Sequence, residues 1–129
     1  MKEAIRVVLV DDQELYREGN ALLLDATDDI VVVGEADTGE EALHAIAEAK
    51  PDIVLMDIRM PGMGGIDATR RIVSAHPDIR VIALTIFDLD EYAFGALDAG
   101  ASAFILKSSS PEALIRTVRI VASGEAVVE

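Results

Sequence analysis

Five short runs rich in β-branched residues constrain this chain more than any other feature: Ile5 to Val10, Ile30 to Val33, Ile53 to Met56, Arg80 to Leu84 and Ala103 to Leu106. A segment of helical length follows each run, so the sequence reads as a βα unit repeated five times. The runs are apolar on both faces and do not alternate with polar residues. Strands of that kind are shielded from water on both sides, as in a parallel sheet held between helical layers. The expected fold class is α/β, doubly wound, with a five-stranded parallel sheet.

Helix signals agree with this division. Thr38-Gly39-Glu40-Glu41 has the spacing of a capping box, Ser110-Pro111 sets a cap before a proline at the first helical position, and Gly100 and Gly124 follow helical stretches. At 100° per residue, Leu15, Gly19, Leu22, Leu23 and Ala26 share one arc of the first helix. Leu114, Ile115, Val118, Val121 and Ala122 do so on the last, and both arcs are expected to face the sheet. Leu24 and Ile120 fall outside these arcs. They are expected at the surface.

Composition narrows the function classes. With 24 acidic and 11 basic residues among 129, the net charge is -13, yet 51% of the chain is apolar, enough for a core in one domain. Such a surface repels phosphodiester backbones and anionic lipid, and the sequence has no compensating basic patch, so neither nucleic-acid nor membrane binding by this segment is expected. The absence of cysteine excludes disulfides, thiolate metal sites and thiol catalysis. Met1-Lys2-Glu3 leads into a six-residue apolar run that meets two aspartates, too short for a signal peptide or a membrane span, and the expected location is the cytoplasm.

In open parallel sheets, ligands bind beyond the carboxyl ends of the strands. The first run ends in Asp11-Asp12, the third in Asp57, the fourth in Thr85 and the fifth in Lys107; Glu35 and Asp37 at the end of the second are set aside. If the first and third strands are neighbours, three carboxylates converge. Each pair of full charges about 4 Å apart repels by roughly 4 kcal/mol at an effective dielectric near 20. Either their pKa values rise or a cation occupies the cluster, and hard oxygen donors on loops suit Mg2+. A carboxylate nucleophile beside such an ion, with a lysine and a hydroxyl nearby, is what acyl-phosphate chemistry requires.

Asp11-Asp12, Asp57-Ile58-Arg59-Met60-Pro61-Gly62-Met63-Gly64-Gly65, Thr85 and Phe104-Ile105-Leu106-Lys107 together resemble the receiver domain of bacterial two-component response regulators, over essentially the whole chain. The resemblance implies the flavodoxin-like strand order 2-1-3-4-5. With that order and right-handed crossovers, the first and last helices cover the same side of the sheet, and Leu24 and Ile120 are expected there as a homodimer contact. The resemblance also implies that Asp57 accepts a phosphoryl group from a sensor histidine kinase. Asp12, Asp57 and the backbone carbonyl of Arg59 would ligate Mg2+, with Asp11 acting through water. Thr85 and Lys107 would contact the phosphate, and Thr85 and Phe104 would form the switch. The stretches from Thr85 to Tyr92 and from Ala99 to Lys107 resemble the subfamily whose receivers precede a LuxR-type helix-turn-helix. That implies a receiver at 1–124, a linker opening at 125–129 and a DNA-binding output domain outside this sequence.

Each residue also has a plainer reading. The Asp11-Asp12 pair suits a helix cap, Asp57 a turn, Thr85 a strand end and Lys107 a solvated loop. Phe104 and Tyr92 suit core packing. Asp88, Asp90 and Glu91 suit a helix start, and His44 and His76 the surface. Lys107 precedes Ser108, where many receivers have a proline after a cis bond; a trans bond is expected here. The resemblance also implies that Arg59 and Phe87, two residues beyond Asp57 and Thr85, border the path of water to the phosphoryl group. A Mg2+-dependent phosphatase would need a further acid or base near Asp57. A flavin carrier would need a phosphate loop where Asp11-Asp12-Gln13-Glu14 stands. An interaction module that keeps the acids without being phosphorylated is the remaining alternative.

Overall fold

A computed structural model describes residues 3–60, 62–86, 91–124 and 127–128, with the backbone alone at 91–92 and 127–128. The strands are β1 (Ile5–Val10), β2 (Ile30–Ala36), β3 (Ile53–Asp57), β4 (Arg80–Thr85), β5 (Ala103–Leu106) and β6 (Val127–Val128). The helices are α1 (Glu14–Asp25), α2 (Gly39–Ala49), α3 (Gly65–Ala75), α4 (Glu91–Asp98) and α5 (Pro111–Ala122). All pairings are parallel, in the order β2-β1-β3-β4-β5-β6. The five expected strands therefore hold the expected order. Val127–Val128, expected in a linker, pair with Ala103 and Phe104 at the β5 edge.

Alternate residues of each strand supply two separate cores, as the period of two requires. Val7, Leu9, Ile53, Leu55, Ile82 and Leu84 pack with Leu24 of α1 and with Leu114, Val118 and Val121 of α5. On the other face Val8, Val10, Val54, Met56 and Val81 pack with Ala42 and Ile46 of α2 and Ala68 and Ile72 of α3, and Ala83 and Phe104 with Ala93 and Ala96 of α4. The helix ends follow their sequence signals. Thr38 Oγ1 accepts the Glu41 amide, Glu41 Oε1 accepts the Asp37 amide, and Ser110 Oγ accepts the Ala113 amide ahead of Pro111. Gly100 and Gly124 have φ of 113° and 98°. The bond before Ser108 is trans, as expected.

Two expectations are corrected in α1. Leu24 is fully buried, so it is no part of a surface patch, and the homodimer contact read from Leu24 and Ile120 has no basis at Leu24. Conversely Leu15 and Leu22, expected to face the sheet, are 87% and 75% exposed. The reason lies in Tyr16, Asn20 and Thr27, which a polar count assigns to solvent. Thr27 Oγ1 donates to the Leu23 carbonyl, and Tyr16 hydrogen-bonds Asn20 while packing on the core, so these groups are satisfied locally and turn inward with Leu23 and Leu24. Leu24→Ala is expected to cost about 3 kcal/mol in urea unfolding, and Leu22→Ala less than about 0.5 kcal/mol.

Candidate functional site

The carboxyl ends of β1 and β3 lie side by side because Val10 and Met56 are in register. That neighbourhood brings carboxylate oxygens of Asp11, Asp12 and Asp57 within 4.8 Å of one another. Asp11 and Asp57 are 1% and 4% exposed, while Asp12 faces solvent. Neither aspartate of the β1 end caps α1, whose N-cap is Gln13 without a side-chain cap bond. Asp11 and Asp57 make equivalent turns, Asp11 Oδ1 accepting the Gln13 amide at 2.9 Å and Asp57 Oδ1 the Arg59 amide at 3.1 Å. One oxygen of each is thereby tied down and the other is left for the site.

Those second oxygens share one cation. Lys107 Nζ lies 2.8 Å from Asp11 Oδ2 and 3.4 Å from Asp57 Oδ2. The Asp11 contact is an ion pair without hydrogen-bond direction. Lys107 Nζ also donates to Gln13 Oε1 at 2.7 Å and stands 4.8 Å from the centroid of the Tyr16 ring, whose hydroxyl donates to the Lys107 carbonyl at 3.3 Å. The amide of Lys107 donates to the Thr85 carbonyl, which joins the β4 and β5 ends. Thr85 Oγ1 is buried with no hydrogen-bond partner among the described residues.

On the α3 side the backbone comes very close to β3. A Cβ on Gly65 would meet the Asp57 carbonyl oxygen at 2.2 Å, so only glycine lets α3 start against the strand that ends in Asp57.

Three acids against one lysine leave an uncompensated negative charge. Burial pushes the Asp57 carboxyl up to about 7, the Asp11 charge and a hydrogen bond with Asp12 act in the same direction, and the Arg59 amide and Lys107 oppose them. The donor set fits a small hard divalent cation: clustered carboxylate oxygens, two of the residues buried and one open to solvent, with repulsion that a cation relieves.

A family model described as the response regulator receiver domain matches residues 7–119. The chain belongs to that family. This receiver is 43% identical to the response regulator GacA of Pseudomonas viridiflava over 94% of its length and 56% of that protein. It is 44% identical to the transcriptional regulatory protein YxjL of Bacillus subtilis over 98% of its length and 58% of that protein. It thus spans a little over half of these curated relatives. Among solved structures, a LuxR-family response regulator from Aurantimonas sp. SI85-9A1 aligns with a TM-score of 0.91 at 35% identity, covering 98% of this chain and 90% of that one. The receiver domain of the response regulator NarL from Mycobacterium tuberculosis aligns at 0.90 and 37% identity, covering 95% and 99%. The resemblance to LuxR-family receivers therefore holds for fold and for sequence.

The structure brings Asp11, Asp12, Asp57, Thr85 and Lys107 to one edge of the sheet, and the Arg59 amide reaches Asp57. Phe104 is set apart, buried against Ile58, Ala93 and Ala96. His44 is exposed and His76 follows α3, both away from this edge. Pro61, Phe87, Asp88, Asp90 and the side chains of Glu91 and Tyr92 lie outside the described residues. Gln13 and Tyr16, the residues that steady Lys107, were not singled out from the sequence. The one available signal was that Gln13 directly follows the paired acids.

A raised carboxyl pKa stabilises the fold fully below the unfolded value of 3.8, and this stability is lost as pH rises through about 7. Without divalent cations, unfolding free energy is expected to fall by about 2–4 kcal/mol over that window. Asp57→Asn removes most of this slope, as chemical unfolding at a series of pH values would read.

Proposed function

We propose that this receiver is a phosphorylation-controlled signalling domain that takes a phosphoryl group onto Asp57 from the phosphohistidine of a sensor kinase, in the presence of Mg2+. The observation that carries this reading is the buried Asp57 carboxylate, with one oxygen fixed by the Arg59 amide and the other beside Lys107, next to two further acids. Mg2+ would be held by Asp12, Asp57 and the Arg59 carbonyl, with Asp11 through water, and would neutralise charge on the transferring phosphoryl oxygens.

The chain's own groups do the rest. An Asp57 oxygen bonds to phosphorus as the phosphorus–nitrogen bond of phosphohistidine breaks, and that electron pair returns to the imidazole. Lys107, already between Asp11 and Asp57, pairs with a phosphoryl oxygen, and the unpartnered Thr85 hydroxyl donates to another. Movement of Thr85 opens space beside β4 that Phe104, one strand away and paired at Ala83, turns to fill, which alters the α4 face for a partner. The domain assists its own phosphorylation and slow dephosphorylation and is not a turnover enzyme.

The output is transcriptional. This chain spans 56% of GacA and 58% of YxjL, which supports a receiver at 1–124 followed by a linker and a DNA-binding domain; the proposed place of work is the cell interior. Among the described residues no helix is long and apolar enough to cross a membrane.

Incubation with acetyl phosphate and Mg2+ is expected to add one phosphoryl group by intact mass, with none added in Asp57→Ala or in excess chelator. Persistence of the mass shift in Asp57→Ala places the acceptor elsewhere. No shift in the wild type, with acetyl phosphate and with a histidine kinase alike, favours an interaction module that is never phosphorylated.

A further inference from the structure

We propose that Arg17 and Glu35 are a positioning pair for the acidic site: Arg17 fixes the Asp11–Asp12 peptide so that both carboxylates face Asp57, and Glu35 fixes Arg17. The inference rests on the divalent-cation reading of the acids and assigns two residues outside the set expected from the sequence.

The need for such a device follows from where β1 stops. The Asp11 amide still donates to the Ala36 carbonyl of β2, but the Asp11 carbonyl has left the strand ladder at a residue only 1% exposed. A carbonyl buried there requires a donor. Arg17 Nη1 supplies it at 2.7 Å, while Arg17 Nε donates to Glu35 Oε1 at 3.0 Å. Arg17 sits one turn into α1, its amide donating to the Gln13 carbonyl, and Glu35 lies opposite Leu9 on β2. One guanidinium therefore ties together the end of β1, the first turn of α1 and the neighbouring strand.

The carbonyl that Arg17 grips belongs to the peptide between the two aspartates, so its orientation sets the direction in which Asp12 leaves the sheet edge. Asp12 is exposed and has little packing of its own to hold it. Glu35 adds a second effect. It pairs the guanidinium charge at 3.0 Å, so a rigid donor stands beside the acids while its charge is directed to Glu35 and Lys107 remains the cation between Asp11 and Asp57. A lysine at position 17 has no planar fork with which to serve both acceptors in this geometry.

The test is Mg2+ binding by calorimetry, together with the Mg2+ dependence of the acetyl phosphate reaction, in wild type, Arg17→Gln, Arg17→Lys, Glu35→Gln and the double variant. Arg17→Gln is expected to weaken Mg2+ binding by roughly tenfold. The half-saturating Mg2+ for phosphorylation should rise in parallel, while the plateau rate at saturating Mg2+ stays within about twofold. Glu35→Gln should show a smaller shift in the same direction, Arg17→Lys an intermediate one, and the double variant no more than Arg17→Gln alone. A merely structural role lowers the thermal midpoint and leaves the Mg2+ affinity of the folded fraction unchanged. That result, with wild-type binding intact, overturns the inference. If Arg17→Gln does not fold, unchanged affinity in both Glu35→Gln and Arg17→Lys overturns it equally. A wild type that binds no Mg2+ removes the cation reading of the acids and this inference together.

Discussion

Repulsion among carboxylates at the carboxyl edge of a parallel sheet is the constraint on which the rest of this receiver depends. The register of β1 against β3 forces Asp11, Asp12 and Asp57 within a few ångströms of one another, and burial of two of them withholds the water that would screen their charge. The protein answers with geometry on every side. Amides of Gln13 and Arg59 fix one oxygen each, Lys107 stands between the others, and Gln13 and Tyr16 hold Lys107 in place. What remains unbalanced is a site whose excess negative charge and buried Asp57 carboxyl, pushed up to about 7, suit a cation.

This balance explains why the rest of the molecule is built conservatively. Central strands covered on both faces, with side-chain caps on α2 and α5, provide the rigid edge on which such a cluster can be held. Even the tight start of α3, which only Gly65 permits, serves to bring a helix against the end of β3 where Asp57 stands. Phe104 lies on the next strand but one from Asp57, paired with Ala83 and packed against Ile58, Ala93 and Ala96.

Much of this was legible in the sequence for identifiable reasons. Strands apolar on both faces have one common architecture, and polar residues that end such strands have few structural uses in concert. The acids, Thr85 and Lys107 therefore stood out by register, before any of their contacts was visible. The face of α1 was misread because a wheel counts Tyr16, Asn20 and Thr27 as polar. Hydrogen bonds within the helix and to its neighbours let them turn inward, and Leu15 and Leu22 were left in solvent. The steadying roles of Gln13, Arg17 and Glu35 were hidden for a related reason. Each depends on an angle between elements, the approach of α1 to β2 and to the β5 end, that spacing along a chain does not encode. The sixth strand at Val127–Val128 is too short to leave a pattern.

The central claim is that three acids form one electrostatic unit poised for a divalent cation, and the carboxyl carbon resonance of Asp57 reads it most directly. In metal-free protein that resonance should titrate near pH 7, and saturating Mg2+ should move the midpoint well below the neutral range. An Asp57 that titrates as an ordinary exposed aspartate and ignores Mg2+ would contradict the account.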